Sequence, residues 1–182
     1  DPDEFFALTH PTAGLQKLLT RTFGRISGAK DIPGAERGVL RPQTVFGGGK
    51  THGLIALYHL ASGARPAGID RFVDPSLLPD DCVVAAAVGD KFSPTAGIDT
   101  TIGGTTDTAR TYTLWGDLAA QLGPAAWAAM KPLDEAREAP GTEVWAEVFG
   151  DRPTVVIIDE IAQHVRQCAT SGNLDVRRQA DA

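Results

Sequence analysis

The stretch Val45-Phe46-Gly47-Gly48-Gly49-Lys50-Thr51-His52 decides the fold. It follows a strand-like run, Gly38-Val39-Leu40-Arg41-Pro42-Gln43-Thr44, and leads into a helical pattern carried by Leu54, Leu57, Tyr58 and Ala61. Strand, glycine loop and helix, in that order, is the context in which Gly-Lys-Thr binds phosphate. Successive glycines let the backbone turn tightly and aim N–H groups at an anion, with no Cβ in the way. The helix adds its unpaired N-terminal amides and the positive end of its dipole. On this reading Phe46, Gly47, Gly48, Gly49, Lys50, Thr51 and His52 are the nucleotide-binding residues. Lys50 would reach the β- and γ-phosphates and count as catalytic, and the Thr51 hydroxyl would ligate Mg²⁺. The opening glycine of the consensus falls on Thr44, whose β-branch restricts the first corner of the loop. The plainer alternative is a glycine-rich turn that joins a strand to a helix.

A second anchor lies far downstream, at Thr154-Val155-Val156-Ile157-Ile158-Asp159-Glu160. A β-branched apolar run ending in two carboxylates reads as a buried parallel strand that delivers charge at its carboxyl edge, as a Walker B strand does. In open α/β sheets ligands bind beyond that edge. Asp159 would hold Mg²⁺ through its water shell. Glu160 would orient and polarise the attacking water as general base. A core strand that happens to end in acidic residues is the alternative, and the upstream glycine loop weighs against it.

The rest of the chain bounds the reading. Its 182 residues suffice for one domain with a sizeable core. Hydrophobic residues make up 42% and charged ones 22%, ordinary for a soluble globular protein. The net charge is −6 with no long Lys/Arg run, so nothing announces nucleic-acid binding. Cys82 and Cys168 have no metal or redox spacing, which points to reduced thiols and a cytoplasmic location. No run approaches the length of a membrane span. The chain opens Asp-Pro rather than with methionine and reads as part of something longer.

Residues 1–37 read as a helical lead-in, 38–170 as the nucleotide-binding core and 171–182 as a polar tail. Thr12 caps a helix over Ala13 to Ile26, with Leu15, Leu18, Leu19, Phe23 and Ile26 on one face. The glycine-loop helix runs from Thr51 to Ala61 and stops at Gly63. Cys82 to Gly89 is an apolar run expected to be a strand buried on both faces. Asp90 to Thr108 has no periodicity and reads as a long surface loop. A helix over about Thr111 to Gln121 follows, with Leu114, Trp115, Leu118 and Leu122 near one face. The pattern then allows a short helix at Ala125 to Met130, a connection to Gly141, and a helix capped by Thr142. After the acidic strand a helix spans Ile161 to Ala169, and no further apolar strand appears. His52 is open between nucleotide contact and packing. His59 and His164 read as surface or core histidines, and Arg110 as a solvated loop arginine.

No Asn-Lys-x-Asp occurs, which argues against a GTPase, and the Asp159-Glu160 pair favours ATP hydrolysis over phosphate transfer by a kinase. Asp1-Pro-Asp-Glu-Phe-Phe6, Phe46-Gly-Gly-Gly-Lys-Thr-His52, Leu54-Ile-Ala-Leu-Tyr-His-Leu60, Thr113-Leu-Trp-Gly116 and Ile157-Ile-Asp-Glu160 occur in that order. Together they resemble a family of large prokaryotic AAA+-like ATPases, long catalogued as a domain of unknown function, found beside DNA methyltransferases in phage-defence systems including BREX-type ones. The resemblance spans nearly the whole chain. It implies an α/β three-layer P-loop NTPase with a mostly parallel sheet, incomplete at the C-terminus, that uses ATP and Mg²⁺. It also implies defence-system proteins and DNA as partners through regions outside this chain, leaves a homo-oligomer open, and involves no membrane. An ATP-binding switch or scaffold with negligible turnover is the alternative reading, and a DNA translocase motor a third.

Overall fold

The computed structural model describes residues 1–36, 38–41 and 49–180, which group into two compact units. Residues 1–83 with 153–155 form the first; residues 84–152 with 156–182 form the second.

The first unit is helical. Asp1 caps α1 (Pro2–Leu8), its carboxylate accepting the Asp3 and Glu4 N–H groups, so the helical lead-in begins at the first residues with a short helix of its own. Thr12 caps α2 (Ala13–Ile26) by accepting the Leu15 N–H at 3.3 Å, and Leu15, Leu19 and Phe23 bury the predicted face. α3 (Lys50–Ala61) begins at Gly49, whose φ of 75° is left-handed. It ends in a Schellman turn: Gly63, at φ 92°, donates to Leu60 O and Ala64 donates to His59 O. Phe6 meets Phe72 edge-to-face at 5.1 Å, and two 3₁₀ turns at Ile69–Arg71 and Pro75–Leu77 complete the connection. The strand expected over Gly38 to Thr44 is not formed in its described part. Residues 38–41 are irregular, and Val39 is 73% exposed rather than packed. Pro42 to Gly48 lie outside the described residues.

The second unit is mixed α/β. Most of β1 (Val83–Val88) and of β4 (Thr154–Asp159) belongs to it, and the two strands pair. Val83 N–H donates to Pro153 O and Gly89 N–H to Asp159 O, so both chains advance together and the pair is parallel. Full burial on both faces does not hold. Ala85, Ala87, Val155 and Ile157 are buried, whereas Val88 and Ile158 are about two-fifths exposed, the alternation of a strand covered mainly on one face. The outer edge of β1 meets a side chain: Gln121 accepts the Ala86 N–H at 2.9 Å and donates to Ala86 O at 3.0 Å.

The stretch Asp90 to Thr108, expected as a loop, is mostly turns and irregular backbone but contains one strand and the first residue of another. β2 (Ile98–Thr101) and β3 (Thr108–Thr111) form an antiparallel hairpin, with Ile98 opposite Thr111 and Thr100 opposite Ala109. The next helix therefore starts later than expected, as α4 (Leu114–Leu122), capped by Thr113. α5 runs through Pro124–Ala136, beyond the short helix allowed by the sequence and with Pro132 inside it. α6 (Thr142–Phe149) is capped by Gly141 rather than by Thr142, and Gly150 ends it. α4 packs on α5 and on the hairpin, and α5 packs on α6. α7 (Ile161–Ala169) and the short α8 (Leu174–Arg178) follow, the latter within the predicted polar tail and burying Val176. No helix among the described residues is long and apolar enough to cross a membrane.

Candidate functional site

In the first unit, Gly49, Lys50, Thr51 and His52 occupy the head of α3. Gly49 adopts a left-handed backbone that side chains rarely take, so glycine is the fitting residue there. Lys50 and Thr51 are exposed on the first turn, where helix amides lack helical acceptors. Phe46, Gly47 and Gly48 lie outside the described residues. For His52 the packing side of the choice has partners. Its Nε2 is 2.9 Å from Thr9 Oγ1, and its ring stacks on Phe5 with centroids 4.5 Å apart. Thr9 Oγ1 also donates to Phe5 O at 2.6 Å, so α1 is tied to the first turn of α3. His59 lies beside Phe5 at 5.4 Å, and burial lowers its pKa.

Around this helix head lies a cleft of about 960 Å³, walled by α1, α2 and residues 39–41. Gly53 brings α2 close: a Cβ there would sit 3.3 Å from Leu18 Cδ2. Lys17, Arg21, Arg41 and Lys50 line the cleft with His10 and His52, and no carboxylate is among the described lining residues. In a chain of net charge −6 this concentrates positive potential in one place. The sequence reading missed Lys17 and Arg21. Their spacing of four puts them on one side of α2, but only the fold turns that side to α3.

In the second unit, Asp159 ends β4 and Glu160 begins α7. Asp159 Oδ1 accepts the Glu160 N–H at 3.0 Å. Glu160 is exposed and left-handed, at φ 52° and ψ 32°, one of two non-glycine residues with positive φ among those described. Such a backbone is costly for a residue with a Cβ and clusters at functional sites. The turn is pressed from β1: a Cβ on Gly89 would lie 2.4 Å from Glu160 O and 2.9 Å from His164 Cβ. His164, one turn along α7, is buried. Its Nε2 lies 3.5 Å from Cys168 Sγ, Phe92 meets its ring edge-on at 5.4 Å, and burial pushes its pKa down.

The remaining motif, Thr113-Leu-Trp-Gly116, is architectural. Asp134, fully buried, accepts from the Tyr112 and Thr113 N–H groups and from Thr113 Oγ1 at 2.6 Å. Thr113 Oγ1 in turn accepts the Gly116 N–H at 3.0 Å. Gly116 has no Cβ because the Asp134 carboxylate occupies that space. Arg110 is exposed as expected, but it lies on β3 rather than in a loop, where it pairs with Asp99 at 3.0 Å and donates through Nε to Ala96 O. Asp117, likewise buried, accepts from Thr100 Oγ1 at 2.6 Å and from Gln121 Nε2 at 3.1 Å. Burial raises the pKa of both Asp117 and Asp134. Neither aspartate carries a signal in the sequence.

A hydroxyl and a carboxylate are hard oxygen donors of the kind Mg²⁺ takes, and this ion is usually held by one or two protein groups plus water and phosphate. Thr51 and Asp159 supply such groups, in the first and second units respectively. Among the described residues no cluster of three or more His, Cys, Asp or Glu could hold a metal by itself.

No curated protein and no solved structure matches the chain. A family model does: the DUF499 N-terminal domain matches residues 1–68 and 96–182, which include Lys50, Asp159 and Glu160. With most of its length matched, the chain belongs to the DUF499 N-terminal domain family.

Proposed function

We propose that the chain binds Mg·ATP and hydrolyses it as the P-loop NTPase module of an AAA+-like ATPase, powering or gating a phage-defence complex in the cytoplasm. The observation that carries the reading is Gly49-Lys50-Thr51 at the head of α3, a left-handed glycine followed by an exposed lysine and an exposed threonine. Supporting it are the parallel β1–β4 pair and the carboxylates at the end of β4.

Each residue then has one task. The amides at the head of α3 and Lys50 bind the β- and γ-phosphates and stabilise the charge that gathers on the transferring phosphoryl group. Thr51 and Asp159 would each offer an oxygen to Mg²⁺, and the ion would neutralise phosphate charge. Glu160 accepts a proton from water as its oxygen bonds to the γ-phosphorus. The bond from that phosphorus to the bridging oxygen breaks, releasing ADP and phosphate.

Calorimetric titration of Mg·ATP into wild type and Lys50→Ala tests the binding step. Wild type should bind and the variant should lose most of the affinity; equal affinity would remove the assignment. Glu160→Gln retains size but accepts no proton, so it should bind ATP and not turn it over. Hydrolysis at the wild-type rate in that variant would favour the non-hydrolysing switch instead.

A further inference from the structure

The cleft at the head of α3 is larger than a triphosphate needs. At about 960 Å³ it lies at the upper end of the volumes that hold small molecules and cofactors. Its chemistry is divided. Lys17, Arg21, Arg41 and Lys50 favour an anion, whereas Leu8 and Val39 offer bare hydrocarbon. Those two are the most exposed large apolar side chains described, at 82% and 73%. Bare apolar surface beside clustered cations suits a ligand that is flat and apolar at one end and polyanionic at the other.

We infer that the part of this cleft lined by Leu8 of α1, Leu18 of α2 and Val39 receives the base and ribose of the nucleotide. This rests on the proposed function, which sets the phosphates at Gly49 and Lys50. The base then covers the exposed Leu8 and Val39 side chains. Lys17 and Arg21 raise the potential along the path from base to phosphate. The lead-in helices are part of the nucleotide site, and nucleotide binding buries part of α1.

Gly14 gives access to this part of the cleft without touching the fold. It lines the cleft on α2, its φ is not left-handed, and a Cβ there would meet nothing within 4 Å. Gly14→Trp should therefore leave the melting temperature at or above that of wild type while filling the space assigned to the base. Two probes are titrated in Mg²⁺, ATP and inorganic tripolyphosphate, into both proteins. The Kd for ATP should rise about tenfold or more in the variant, since a pocket buries most of its ligand, and the Kd for tripolyphosphate should not move. An unchanged ATP affinity would overturn the inference, as would equal losses for both probes. If neither probe binds wild type, the proposed function itself has failed. Photolabelling with 8-azido-ATP gives an independent readout: label should fall within residues 8–21 or 39–41, and label confined to other segments would overturn the assignment.

Discussion

Replacing Glu160 by glycine should stabilise the protein relative to Glu160→Gln while leaving both variants without hydrolysis. Glu160 sits at φ 52° and ψ 32°. A Cβ in that region crowds the following carbonyl oxygen at a cost of about 1–2 kcal/mol. Glycine removes that cost but loses more chain entropy on folding, about 0.5–1 kcal/mol. The difference leaves roughly 0.5–1 kcal/mol in favour of glycine. Comparing against glutamine rather than glutamate matters, because a carboxylate at a helix N-terminus is itself worth about 0.3–1 kcal/mol and both substitutions remove it. In a chain of this size the gain corresponds to about 1–4 °C in melting temperature. Scanning calorimetry on the three proteins, with phosphate release measured alongside, checks both halves. A glycine variant that melts at or below the glutamine variant would refute the strain argument. Hydrolysis by either would refute the role of the carboxylate.

Two further outcomes follow from the buried polar residues of the second unit. Gly116→Ala should destabilise by about 1–3 kcal/mol, the usual cost of overpacking, because the added methyl falls on the Asp134 carboxylate; denaturant unfolding measures it, and a neutral result would mean that Asp134 has somewhere else to go. Asp117 titrates above the ordinary 3.8 in the folded chain, so the native state binds its proton first as pH falls. Its unfavourable contribution is therefore complete above the native pKa and disappears as pH drops towards 3.8. Asp117→Asn, which carries no titratable group, should flatten that part of the stability–pH profile, as denaturant unfolding at a series of pH values would read. An unaltered profile would show that Asp117 does not titrate abnormally.

The elements legible in the sequence were those with both a period and a stop. α2 and α7 have the predicted limits because apolar spacing, Thr12 as a cap and the change of character after Ala169 all agree. β4 is legible because an unbroken β-branched run has few other uses. The hairpin was hidden because its buried side is made of Thr100, Ala109 and Thr111. Threonine in a core is stabilised through its hydroxyl, and the partner of Thr100, Asp117, lies on a helix that local pattern cannot place beside it. α5 was cut short on paper by Pro132, which removes a helical hydrogen bond at a cost of about 3 kcal/mol. In the fold the helix continues because Met130 and Asp134, either side of the proline, are fully buried, and Asp134 satisfies the amides of Tyr112 and Thr113. Of the candidate site, residue types and order were legible. The cationic cleft was not, because it depends on which side of α2 meets α3.

The Asp159–Glu160 turn carries the more specific physical lesson. A strained backbone persists only where its surroundings over-determine it, and here four contacts do so. Gly89 N–H holds Asp159 O at the end of the β1–β4 ladder. The Glu160 carbonyl accepts the Gln163 N–H at 2.9 Å and the His164 N–H at 3.3 Å, which commits the next residues to α7. Gly89 then closes the remaining side, with no room for a Cβ. Beneath this turn lies the buried His164, whose Nδ1 has no hydrogen-bond partner among the described residues and whose pKa burial lowers. A neutral ring there contributes packing without a positive charge that would pair with the carboxylates above it. Asp159 thus starts from the last residue of a strand and Glu160 from a one-residue turn held between strand and helix, and groups carried on or clamped by regular elements hold their geometry more tightly than groups on a loop. The strain at Glu160 is the local cost of changing direction within one residue between β4 and α7.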